Sequence, residues 1–266
     1  MLKPIVINCG EQVIEFSMEL DPHFVQDNAI SYYLKNGVPP EPELVYFMMR
    51  AVEEGDSVID AGANVGFFSL LLARLVGQGG RVLSIEPGAN NVQKLVHNIK
   101  LNNIANITLG TVALADSNRE IDFYLCNDSG INSAWVNEAA SRQKTTVNGV
   151  RLDDIWVGKI APKLIKMDIE GSELQALRGA RNLLALHPNF IIMEFNEGAL
   201  QAMGASVADI RHFLHDFGYE LFILSELGFF PAHVPLDFPV KVERNNTNVL
   251  FTTFKDLQLA FAEVTV

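Results

Sequence analysis

Cysteine, tryptophan and positive charge are what this 266-residue sequence has least of. Its two cysteines, Cys9 and Cys126, stand far apart without metal-ligand spacing. That argues against a disulfide framework or a structural zinc site and reads as two thiols in a reducing compartment. Lys and Arg number 20 against 32 Asp and Glu, a formal net charge of −12. Proteins that grip extended nucleic acid cluster their cations to neutralise phosphates. Here the basic residues are scattered, with Arg142-Gln143-Lys144 the nearest approach to a run, so extended DNA or RNA is not an expected partner. Long apolar runs are missing as well. Phe67 to Val76 is interrupted by Ser69 and Arg74 and is too short to span a bilayer. Met1-Leu2-Lys3-Pro4 does not lead into a signal-peptide core. The expectation is a soluble cytoplasmic protein with no membrane partner.

What is present is a core-forming composition, 48% hydrophobic, arranged in two styles. Residues 4–18 alternate like a hairpin turning at Cys9-Gly10-Glu11. Asn28–Lys35 and Pro42–Val52 read as short helices, the second with Pro in its first turn. This section, 1–53, is expected to be a lid or a platform. From residue 57 onward short apolar runs alternate with amphipathic stretches. Strands are expected at 57–60, 81–85, 106–109, 163–168, 190–195 and 220–224, an extra one at 121–125 and a last one at 248–254. Helices are expected at 65–75, 90–101, 172–186 and 207–217. Such alternation predicts an α/β fold with a mostly parallel sheet. Residues 127–149, with Trp135, and 226–247 read as long loops.

The strongest signal is Val58-Ile59-Asp60-Ala61-Gly62-Ala63-Asn64-Val65-Gly66, where the first strand of the sheet passes into a helix. Gly62 and Gly66 let the backbone turn tightly beside a ligand, and the helix start offers free N–H groups. A dinucleotide fingerprint needs G-x-G-x-x-G on a pyrophosphate. Asp60 stands at its first position, where a carboxylate would repel phosphate but suit the ammonium and sulfonium of S-adenosylmethionine. An oxidoreductase using NAD is disfavoured for the same reason. Glu86, ending the second strand in Ser84-Ile85-Glu86-Pro87, falls where an acid accepts ribose hydroxyls. Ala113, in Gly110-Thr111-Val112-Ala113-Leu114, suits an adenine face. Asp168 and Glu170 end the fourth strand and Glu194 the fifth. Carboxylates gathered at one edge require a cation, a proton or a donor nearby.

The run from Val58 to Asn196 resembles the FkbM-type family of S-adenosylmethionine-dependent methyltransferases. The resemblance is carried by Asp60-Ala-Gly-Ala-Asn-Val-Gly66, Ser84-Ile-Glu-Pro87, Leu152-Asp-Asp-Ile155, Ile165-Lys-Met-Asp-Ile-Glu-Gly-Ser-Glu173 and Ile192-Met-Glu194. It implies a Rossmann-like class I methyltransferase domain over 54–266, its last strand antiparallel. It also implies methyl transfer to a hydroxyl oxygen of a small molecule such as a sugar or secondary metabolite. Carried over, Asp60, Gly62, Asn64 and Gly66 would hold the methionine portion and Glu86 the ribose; Ala63, Pro87, Ala113 and Asp168 are the further candidate cofactor-binding residues. A neutral hydroxyl is a poor nucleophile, so Asp168, Glu170 and Glu194 are the candidate bases. With Mg²⁺, Asp168 and Glu194 would be its ligands. His233 is an alternative base. The readings that compete are a non-catalytic adenosine or nucleotide-binding protein and a methyltransferase acting on nitrogen.

Overall fold

The computed structural model describes residues 1–21, 23, 25–126, 142–157, 160–224, 230–240 and 247–262. The chain opens with an antiparallel hairpin, β1 (Leu2–Cys9) and β2 (Gln12–Glu19), joined across Gly10-Glu11. Its alternation buries Ile5, Ile7, Phe16 and Met18 on one face. Two helices follow, α1 (Val25–Lys35) and α2 (Pro42–Ala51). The rest runs β3 (Ser57–Ala61), α3 (Phe67–Leu75), β4 (Arg81–Ile85), α4 (Ala89–Leu101), β5 (Ile107–Gly110), β6 (Ala113–Leu114), β7 (Arg119–Cys126), β8 (Arg142–Val150) and α5 (Leu152–Ile155). It continues with β9 (Leu164–Met167), α6 (Glu173–Arg178), α7 (Arg181–Leu184), β10 (Phe190–Phe195), α8 (Glu197–Ala202), α9 (Val207–His215), β11 (Glu220–Ile223), β12 (Ala232–Val234), β13 (Thr247–Thr252) and α10 (Phe254–Phe261).

Eight strands form one sheet in the order β12-β11-β13-β10-β9-β3-β4-β5. The five from β10 to β5 are parallel neighbours. β13 runs antiparallel between β10 and β11. This is the expected Rossmann-like sheet with its last strand reversed. The side-chain period of two sorts each strand between two cores. Val58 and Leu164 join one with the hairpin, α2 and α3, whereas Ile59 and Ile165 join the other with α6 and α9.

The hairpin is tied down by polar contacts as well. Asn98 of α4 and Asn102 at its C-cap accept the backbone N–H groups of Glu19 and Ser17 at 2.9 and 2.8 Å. Lys94 pairs with the buried Asp27 at 2.8 Å.

The structure corrects several sequence expectations. Residues 142–149 are strand rather than loop, pairing with β7, and β6 completes a three-stranded sheet in the order β6-β8-β7. β8 misled because its small sheet leaves much of it in water, so Thr and Lys replace the apolar half of the pattern. Trp135 lies outside the described residues. The helix expected over 172–186 is two, because Gly179 presses against the chain: a Cβ there would lie 2.0 Å from the carbonyl oxygen of Ala115. Asp153 then starts α7 by accepting N–H from Asn182 and Leu183 at 3.1 and 2.9 Å. The last strand stops at Thr252, and Thr253 caps α10 by accepting from Asp256 N–H at 3.1 Å. Within 226–247, β12 extends the sheet. Among the described residues no helix is long and apolar enough to cross a membrane.

Candidate functional site

A polar row crosses the apolar sheet where its parallel strands end. Asp60 is opposite Ser84 on β4 and Lys166 on β9, and Glu194 is opposite Asn248 on β13. The alternation sets all of these on the α2–α3 side, since Val58, Leu164, Ile192 and Leu250, two residues from members of the row, pack there. Asp60 and Lys166 are 0% and 2% exposed. Burial pushes the Asp60 carboxyl above its ordinary range, against the pull of Lys166 and a hydrogen bond from Ser69. Ser69 Oγ donates to Asp60 Oδ2 at 2.5 Å and accepts from Ser84 Oγ at 2.8 Å. Burial alone would lower Lys166, yet Asp168, Asp60, Glu41 and Glu194 raise it above the usual lysine range. Its Nζ lies 3.2 Å from Asp168 Oδ2 and 4.8 Å above the Phe68 ring.

The glycine loop closes over this row. Gly62 has φ 81, and a Cβ on it would lie 1.8 Å from the Asp168 carbonyl oxygen. Gly62 and Ala63 both donate to the Ile85 carbonyl, at 2.9 and 3.0 Å. Gly66 begins α3. Glu86 locks the loop from β4: Oε2 accepts Asn64 N–H at 3.0 Å and Oε1 accepts Gly88 N–H at 2.8 Å. Burial outweighs these bonds and pushes its carboxyl up to about 7.

Two cavities flank the loop. The larger, about 290 Å³, is lined by Gly62, Glu86, Pro87, Ala113, Asp168 and Glu170 among others. The smaller, about 170 Å³, is lined by Tyr33, Glu41, Ala63, Phe68, Lys166 and Asp168 among others. Gly62, Asn64 and Asp168 line both. Asp60 lies beneath the loop rather than along either wall.

Asp168, Glu170 and Glu194 each offer an oxygen, and these oxygens lie within 4.8 Å of one another. Burial, then Asp168, Glu41 and Glu170 beside it, pushes the Glu194 carboxyl well above the ordinary carboxylate range. The segment bearing Glu170 turns through positive φ at Glu170 (53) and Gly171 (96). Glu173 Oε1 holds it, accepting from Ile169 and Gly171 N–H, each at 3.2 Å. His233 is not brought here. It sits on the edge strand β12, 3.3 Å from Glu220 Oε2 and beside Phe222 and Phe254. His212 and His215 form no metal-ligand group among the described residues.

Sequence reasoning missed Glu41, Glu43 and Asn248. Glu41 and Glu43 come from the start of α2, and Asn248 Nδ2 donates to both, at 3.1 and 2.8 Å. Nothing in their local sequence marks them, since they meet only across 205 residues or more. Lys166 did carry a signal: a lysine in the middle of a buried strand needs a charged partner.

A sheet of this order, with a glycine turn after β3 and an acid just past β4, is a Rossmann-like fold with its ligand corner at the ends of the parallel strands. Residues 60–221 match the family model described as Methyltransferase FkbM domain, and the chain belongs to that family. It is 25% identical over 165 residues to the hexuronic acid methyltransferase AglP of Haloferax volcanii, covering 59% of this chain and 63% of that protein. Methyltransferase 1 of Beauveria bassiana is 24% identical over 145 residues, 46% of this chain and 57% of its own. The crystal structure of a methyltransferase FkbM from Methylobacillus flagellatus superposes with a TM-score of 0.52 at 22% identity, over 85% of this chain and 51% of that one. The chain therefore spans less than two thirds of each of these proteins.

Proposed function

We propose that the protein transfers a methyl group from S-adenosylmethionine to a hydroxyl oxygen of a small molecule, with a sugar-type acceptor as the first choice. The observation that carries this is the larger cavity, lined by the buried acid Glu86 and by Asp168. Ile85 and Val112–Leu114 along its wall suit an adenine face, and Glu86 suits ribose hydroxyls. Asp168, Lys166 and Glu41 in the adjoining cavity complement a group bearing both ammonium and carboxylate. The carboxylates lining these cavities favour a cofactor of positive charge over a pyrophosphate, and Arg119, which also lines the larger one, is already paired with Asp116. When bound, S-adenosylmethionine supplies a methyl group activated by its sulfonium. The chain's own contribution is to position the acceptor hydroxyl and take its proton. Asp168, which lines both cavities and is held by Lys166 at 3.2 Å, is the first candidate for that role.

Asp168, Glu170 and Glu194 also present the oxygen donors a hard cation takes, and turnover with Mg²⁺ and with chelator assigns or removes a cation here. The hexuronic acid acceptor in the name of the Haloferax relative favours a sugar. Calorimetric titration of S-adenosylmethionine and S-adenosylhomocysteine, with NAD as control, tests the cofactor. Binding of the first two supports it, and binding of NAD alone refutes it. A screen of hydroxylated acceptors by mass spectrometry tests the reaction, and methylation confined to amines would move it to nitrogen.

A further inference from the structure

The N-terminal section supplies part of the smaller cavity's wall. Ala29, Ile30 and Tyr33 come from α1, and Pro40 and Glu41 from the turn before α2. The family module begins only at residue 60, so these residues are additional to it. Ala29 and Ile30 precede Tyr33 by four and three residues, which sets all three on one face of the helix. That face is fixed in place. Ile30 is buried in the core shared with the hairpin. Asp27, one turn earlier, pairs with Lys94 and accepts the Asp21 N–H, both at 2.8 Å.

Tyr33 itself is not spent on packing. It keeps 36% of its surface exposed, against 9% for Ile30, and among the described residues no hydrogen bond engages its hydroxyl. The glycine loop has less to offer. The N–H groups of Gly62 and Ala63 both go to the Ile85 carbonyl, and that of Asn64 goes to Glu86. Lys166, the cation of this cavity, is shared among Asp168, Asp60, Glu41 and Glu194. An amino-acid tail entering here brings an ammonium, which can meet Asp168, and a carboxylate, which calls for a further donor. A phenol supplies that donor without adding charge.

We propose that Tyr33 binds the carboxylate of the cofactor's methionine portion through its phenolic hydroxyl, so that the N-terminal section completes the S-adenosylmethionine site that residues 60–221 begin. The inference rests on the reading that the smaller cavity receives that portion of the cofactor.

The test is calorimetric titration of the full chain with S-adenosylhomocysteine and with its decarboxylated analogue, which keeps the adenosine, the sulfur and the ammonium. We expect the wild type to bind S-adenosylhomocysteine roughly tenfold or more tightly than the analogue. Tyr33→Phe should weaken S-adenosylhomocysteine by about tenfold and leave the analogue within about twofold, because only one of the two ligands carries the group the hydroxyl meets. Equal affinity of the two ligands for the wild type overturns the proposal without recourse to any variant. So does a Tyr33→Phe protein that loses affinity for both alike, which would make Tyr33 a packing residue, or for neither. In each of these cases S-adenosylhomocysteine still binds the wild type, and the cofactor reading survives. If it does not bind the wild type, the functional reading fails together with this inference.

Discussion

A Cβ on Gly62 would stand 1.8 Å from the carbonyl oxygen of Asp168, so the turn after β3 and the end of β9 are in direct backbone contact. The two motifs are thus one structure: the loop lies where it does because nothing larger than hydrogen fits between them. Asp168 N–H, donating to the Ala61 carbonyl at 3.0 Å, ties them from the other side.

Gly62→Ala combines a positive φ with a collision against backbone. It should destabilise the fold by about 2 kcal/mol or more and weaken S-adenosylhomocysteine binding. Chemical denaturation and calorimetry measure both. A variant with unchanged stability would mean that the loop relaxes freely and that this contact does not fix it.

Glu86→Gln separates binding from folding. The amide keeps one acceptor for the loop N–H groups but removes a charge that burial disfavours. Stability at pH 8 should hold or rise, while affinity for S-adenosylhomocysteine drops by roughly tenfold to a hundredfold. In the wild type, affinity should also decline as pH falls below about 7 and Glu86 takes up a proton. That slope should vanish in the variant. An unaltered affinity would remove Glu86 from the ribose position.

Lys166→Met takes away the cation shared by Asp168, Asp60, Glu41 and Glu194. Breaking a buried charge network on one side costs about 3–5 kcal/mol, because the remaining carboxylates lose their partner. The loss should be largest at alkaline pH and recover on acidification, as Asp60, Glu41 and Glu194, all raised by burial, take up protons. Urea denaturation at two pH values reads this directly, and a loss independent of pH would point to packing against Phe68 instead.

Stability as a whole should rise as pH is lowered from 8 towards 5. Burial raises Glu41, Glu86 and Glu173 from 4.5 to about 7 each. Between those values the folded chain binds protons that the unfolded chain has released, so acid favours folding. The contribution is complete below about 4.5 and is lost as pH climbs through about 7. Thermal unfolding across that window should show its highest midpoint on the acid side. A maximum at pH 8 would mean that these side chains are hydrated and ionised in solution.

Much of the fold and of the glycine loop is legible in the amino-acid sequence. The glycine loop, the acid after the second strand of the sheet and the Asp168–Glu170 segment each lie within a few consecutive residues, and their chemistry needs only that local spacing. The alternation of strands and helices points to the parallel sheet for the same reason. β8 is not legible in this way, since its polar residues satisfy a small solvated sheet. Nor is the break at Gly179, imposed by the carbonyl of Ala115, which follows β6 far away in the sequence.

Local sequence is enough for the architecture and for the glycine loop, because hydrophobic period and turn chemistry act between near neighbours. The composition of the polar row is a tertiary matter. Asp60 meets Lys166 through strand register, and Glu41 meets Asn248 from elements 207 residues apart. Whether a carboxylate keeps its charge or its proton depends on burial and on the charges around it. Those neighbours exist only once the sheet has brought them together.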